Sequence, residues 1–105
     1  MTKTVLITGG SRGIGRATAI LCAQNDWNVA ISYVGNKERA DETCALCERA
    51  GRTGNVFAQK CDVKYEQDVL DLFQATLDRF GTIDAVVNNA GIVAPKSDVA
   101  DMSIE

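Results

Sequence analysis

Histidine is absent from these 105 residues, proline occurs once, and no second C-x-x-C accompanies C-A-L-C at Cys44 and Cys47. A structural zinc site closes with four nitrogen or sulfur ligands, so the pair at 44 and 47 lacks the partners that such a site needs. An excess of positive charge is missing as well. The formal net charge is −3, which leaves no electrostatic footprint for nucleic acid or an anionic membrane. No apolar run approaches the ~18 residues of a membrane span. The opening M-T-K-T-V-L-I-T meets glycines after an apolar segment too short for a secretory signal. A cytoplasmic, single-domain protein is the expectation, with enough chain for a useful core.

What is present is an alternation. Residues 3–7 form a short β-branched run, followed by glycines. Ile14, Ala17, Thr18 and Leu21 keep helical spacing, so residues 14–24 are predicted as a helix. N-D-W-N turns the chain into a second strand at 29–34. Residues 37–50 carry Ala40, Cys44 and Cys47 on one face of a second helix, where free thiols act as small buried hydrophobes. Cys22, in mid-helix, and Cys61, at a strand end, read the same way. G-R-T-G leads to a third strand at 55–60. Val69, Leu72, Phe73, Thr76, Leu77 and Phe80 make the clearest apolar stripe in the chain, on a third helix whose start at Lys64 and Tyr65 lacks a good N-cap. A fourth strand, A-V-V-N, occupies 85–88. A loop follows at 89–101, and D-M-S-I-E at the chain end reads as the start of another helix.

Apolar strands alternating with amphipathic helices imply a parallel sheet covered on both faces, an α/β fold. Right-handed crossovers then give strand order 3-2-1-4, with the first two helices on one face and the third on the other. That is an incomplete doubly wound, Rossmann-like sheet. Its strand order reverses between strands 1 and 4, and ligands bind at the carboxyl ends of such a reversal.

The stretch T-G-G-S-R-G-I-G at 8–15 sits at that reversal, with Gly9, Gly13 and Gly15 spaced as GxxxGxG. Glycines leave no Cβ to hold a ligand away, and a helix N-terminus offers free N–H groups and positive potential. The combination suits a pyrophosphate. No G-K-[ST] follows the glycines, which excludes a P-loop nucleotide hydrolase.

Together with C-D-V at 61–63 and N-N-A-G at 88–91, the glycine stretch resembles the short-chain dehydrogenase/reductase family along the whole chain. The resemblance implies an NAD(P)-dependent oxidoreductase that moves hydride between a nicotinamide cofactor and a carbonyl or alcohol. It places Gly9, Gly13 and Gly15 around the pyrophosphate, with Ser11 and Arg12 in the same loop and the Ile14 amide on a phosphate oxygen. Thr8 would tie the loop to the neighbouring strand. Asp62 would hold the adenine amino group, Val63 the ring, and Asn89, Ala90 and Gly91 the adenosine ribose, while Asn88 braces the strands. Asp62 could instead accept backbone amides at the next helix start, and the asparagines could be plain turn formers.

Dinucleotide choice turns on the end of strand 2. An NAD-selective site carries Asp or Glu about 20 residues past the glycines. Here that place falls on Tyr33, with Asn36 and Lys37 after it and Arg12 in the loop. Two cations can converge on a 2′-phosphate, so NADP is expected over NAD, unless Arg12 and Lys37 are simply solvated.

The family's catalytic Ser and its Y-x-x-x-K pair fall beyond N-N-A-G, so no catalytic residue and no metal ligand is assigned. Tyr33 and Lys37 match Y-x-x-x-K in letters, but a strand end and Gly35 separate them. The expectation is therefore a single partial dinucleotide-binding domain over 1–105, truncated before its catalytic segment and inactive alone. Its whole form would be a homo-oligomer. The alternative is a catalytically silent dinucleotide-binding or protein-interaction module. An unpartnered fourth strand would leave part of Val5, Ile7, Val86 or Val87 bare and the fold association-prone.

Overall fold

The computed structural model describes residues 2–9, 13–51 and 55–89. Seven elements alternate: β1 (Thr4–Thr8), α1 (Gly13–Gln24), β2 (Asn28–Tyr33), α2 (Lys37–Ala50), β3 (Val56–Lys60), α3 (Glu66–Phe80) and β4 (Ala85–Asn88). All strand pairs are parallel, in the order β3-β2-β1-β4. This is the expected doubly wound arrangement. The strand boundaries move by a residue. β1 runs on to Thr8, which pairs with Asn88. β2 stops at Tyr33, whose carbonyl accepts the last ladder bond from Cys61 N–H at 2.9 Å, leaving Val34 exposed in the bend that follows.

Successive side chains of a strand point to opposite faces, and the two faces meet different helices. Val5, Ile7, Val29 and Ile31 pack with Ala19 and Ala23 of α1 and with Ala40 and Cys47 of α2. Gly15, Ala19 and Ala23 recur every four residues and are all buried, so a stripe of small residues lets α1 lie close to the sheet. Leu6 and Ala30 face the other way, onto Leu72 of α3 and Cys61.

Coverage of the faces narrows one expectation to a single position. Val5 and Ile7 are fully buried, because α1 and α2 seal their side. The bare position is Val86, which stands in register with Leu6 on the side of α3 and is 42% exposed. Leu77, expected in the apolar stripe of α3, is also 42% exposed, whereas Leu72 and Thr76 are buried. The buried seam of α3 is thus narrower than its sequence period.

The amino ends of the strands are closed by polar side chains. Asp84 accepts from Thr4 N–H at 2.8 Å, the Asn28 amide donates to Thr4 Oγ1 at 3.1 Å, and Asn55 donates to Asn28 Oδ1 at 2.9 Å. Close by, α2 ends against α1: a Cβ on Gly51 would collide with the backbone carbonyl of Ala23. Cys22 and Cys44 pack around buried Cys47 between these helices. Burial raises all three thiols above their ordinary range, Cys44 to about 11 and Cys47 to about 12.

Candidate functional site

At the carboxyl ends, β1 leaves the sheet through Gly9 and returns as α1 from Gly13. Both glycines have positive φ, +73° and +64°, a conformation that costs an L-residue steric strain. Among the described residues, a Cβ built on Gly13 would meet no atom within 4 Å apart from its chain neighbours and its own helix backbone. The missing side chain therefore leaves open space over the first turn of a twelve-residue helix, where amides lack intrahelical partners. A phosphate group fits such a cradle on charge and on space.

The turn is held from both neighbouring strands. Thr8 Oγ1 donates to Asn88 Oδ1 at 2.9 Å and accepts from Asn89 N–H at 2.9 Å. This ties the end of β1 to the end of β4. Asn89 also donates through Nδ2 to the Gly9 carbonyl at 3.4 Å. From β2, Ser32 Oγ accepts the Gly9 N–H at 3.2 Å.

The remaining site candidates fall around this turn in different ways. Gly15 is buried, and Ile14 keeps its side chain 75% exposed, so only its backbone can serve the turn. Asp62 follows β3, where Oδ1 accepts the Lys64 N–H at 3.0 Å and its own N–H donates to Asp68 Oδ2 at 3.0 Å. One carboxylate oxygen is thus engaged in shaping the entry to α3. Tyr65, at the N-cap position, makes no side-chain cap bond. Val63 packs against the cluster beneath α3. Tyr33 is half-buried at the end of β2, against the α1 and α2 side.

Asn36 caps α2, accepting the Arg39 N–H at 3.0 Å. Lys37 pairs with Asp41 at 3.0 Å on the exposed face of the same helix, and that carboxylate holds the ammonium above its ordinary range. An exposed i, i+4 pair of this kind is screened by water and contributes little, so Lys37 can exchange one anion for another readily. Ser11, Arg12, Ala90 and Gly91 lie outside the described residues.

Two partners of the site were not legible in advance. Ser32 is polar where β2 otherwise runs apolar from Val29 to Ile31, and that break in pattern was the available signal. Arg16, in α1, donates to Thr43 Oγ1, the Arg39 carbonyl and Glu42, and so fixes α1 against the start of α2. Nothing in the helical spacing of α1 announces that clamp.

A glycine turn with an open cradle, set at the strand-order reversal of a parallel sheet, defines a dinucleotide-binding α/β protein. The chain belongs to the short-chain dehydrogenase/reductase family, whose model, described as short chain dehydrogenase, matches residues 3–105. It is 41% identical over 93 residues to the 3-oxoacyl-[acyl-carrier-protein] reductase FabG of Staphylococcus aureus, covering 88% of this chain and 37% of that protein. It is 39% identical over 92 residues to the short-chain dehydrogenase/reductase homolog YusS of Bacillus subtilis, covering 88% of this chain and 83% of the relative. Among solved structures, a doubly substituted short-chain dehydrogenase/reductase from Serratia marcescens superposes with a TM-score of 0.81 at 32% identity, over 88% of this chain and 37% of that one. The chain therefore spans well under half the length of that reductase and of that structure, and most of the length of the short Bacillus relative. Among the described residues, no helix is long and apolar enough to cross a membrane.

Proposed function

We propose that this chain is the NADP(H)-binding portion of a short-chain oxidoreductase acting on a carbonyl or alcohol. The carrying observation is the open, positive-φ turn at Gly13, aligned with the N-terminus of α1. In this reading Gly9, Gly13, Gly15 and the Ile14 amide receive the pyrophosphate, with Ser11 and Arg12 in the same loop. Asp62 keeps one oxygen for the adenine amino group, beside Val63. Asn89, Ala90 and Gly91 flank the adenosine ribose.

The bound nicotinamide supplies hydride chemistry. The chain's own residues bind and orient: amides neutralise the diphosphate, and the clasp of Thr8, Asn88 and Asn89 fixes the turn. Arg12, Asn36 and Lys37 converge on the 2′-phosphate beside Tyr33, a position where an NAD-selective site carries an acidic residue. The 3-oxoacyl reductase relative makes a carbonyl substrate for the whole protein a reasonable class. No residue of this chain is assigned to proton transfer, so residues 1–105 alone bind cofactor and turn nothing over.

A second reading rests on the short Bacillus relative, most of whose length this chain covers: a dinucleotide-binding module without catalysis. Fluorescence titration with NADPH and NADH tests both. Saturable binding at least about tenfold tighter for NADPH, equivalent to about 1.4 kcal/mol, supports the selectivity. Equal affinities would overturn it, and no binding would overturn the cofactor reading itself.

A further inference from the structure

Gly9 lies just beyond the last β1–β2 register pair, Ile7 with Ile31. The partner of its amide is therefore set by what stands at the end of β2, and that group is a hydroxyl. Ser32 is 2% exposed, and its Oγ accepts the Gly9 N–H at 3.2 Å. On the opposite side the Gly9 carbonyl is held by Asn89 Nδ2 at 3.4 Å. With φ at +73°, Gly9 is the residue at which the chain turns out of the sheet. Its amide is held from β2 and its carbonyl from Asn89, just past β4, so the peptide at which the chain leaves the sheet is fixed on both sides.

We propose that Ser32 is a positioning residue for the pyrophosphate site: by occupying the Gly9 amide, its hydroxyl fixes the peptide at which β1 ends, and with it the lead into the Gly13 and Ile14 amides that receive the ligand. The inference rests on the dinucleotide reading above. Alanine at this place offers no acceptor. The Gly9 N–H then either stays unpaired, at the cost of a lost hydrogen bond, or rotates and carries the turn with it. Threonine keeps the acceptor and suits a strand. Cysteine keeps the size but accepts weakly.

The test compares Ser32→Ala, Ser32→Cys and Ser32→Thr in binding two probes, adenosine diphosphate ribose, which carries the pyrophosphate, and adenosine 2′-monophosphate, which does not. The expected result is a loss of about five- to tenfold in affinity for the pyrophosphate probe in the Ala and Cys variants, the loss of one net hydrogen bond. Ser32→Thr should stay within about twofold of the unsubstituted chain, and adenosine 2′-monophosphate should bind all four proteins alike. A merely structural role would weaken both probes together, and that outcome overturns the inference. Unchanged binding of the pyrophosphate probe in the Ala and Cys variants also overturns it, while leaving the dinucleotide reading intact. Failure of the unsubstituted chain to bind that probe overturns both. Should Ser32→Ala not fold, the Cys and Thr pair decides the matter by itself.

Discussion

The two ends of this sheet are built from the same strands and are opposite in character. At the amino ends, Asp84, Thr4, Asn28 and Asn55 hydrogen-bond one another across four strand positions, and Gly51 brings α2 against the Ala23 carbonyl. That end is closed, with polar groups paired inside the protein. At the carboxyl ends, Thr8, Ser32, Asn88 and Asn89 fix the frame of the turn, yet the space over Gly13 stays open. Helices that run back against their strands put their N-termini here, so the amides without intrahelical partners gather at the open end. A polar network completed by the protein contributes stability. One that frames open space beside a glycine is suited to a ligand.

Substitutions at the two ends should therefore separate binding from folding. The largest effect is expected from Gly13→Val. A branched side chain at φ +64° both strains the turn and fills the cradle. NADPH affinity should fall on the order of 100-fold, with only a modest drop in melting temperature because a Cβ there meets no other described part of the fold within 4 Å. Titration and a thermal melt on the same sample check this, and comparable losses in both would erase the contrast between the ends.

Gly51→Ala should do the reverse. Its Cβ must displace the Ala23 carbonyl, so α1 and α2 separate, at a cost of about 1–3 kcal/mol of overpacking. Urea unfolding should register that loss while NADPH affinity is kept. Asn28→Ala comes next. It removes a nearly buried amide that links Thr4 to Asn55 and leaves their polar groups without that partner, worth about 1–3 kcal/mol.

Alkaline pH provides a smaller and more gradual probe of the closed end. Burial holds the Cys44 and Cys47 thiols up at about 11 and about 12. The unfolded chain releases these protons from about pH 8.5 upward, so over that window the folded state binds more protons and stability falls as pH rises. Below the unfolded value the contribution is fully present. Melting temperature should decline between pH 8 and pH 10.5, and Cys47→Ala should flatten the slope while lowering the whole curve.

The sequence carried the order of elements, the sheet topology and the place of the turn, because apolar runs, helical spacing and glycine punctuation are local signals. What it did not carry is what strands do across one another. Ser32 meets Gly9, Asn28 meets Thr4 and Asp84 meets the Thr4 amide only through parallel register, which is set between segments far apart in the chain. Val5 and Val86 were treated alike as apolar residues beside a missing layer. Their faces differ, and so does their burial. At Asp62 the structure shows the backbone-capping alternative, since one oxygen accepts the Lys64 amide.

A titration of the isotopically labelled chain with NADP, followed by amide nuclear magnetic resonance, tests the open turn most directly. The account predicts that the largest shifts fall on the Gly13 and Ile14 amides, with Thr4, Asn28 and Asn55 unmoved. Shifts concentrated at the amino ends of the strands, or no shift at Gly13 under saturation, would contradict it.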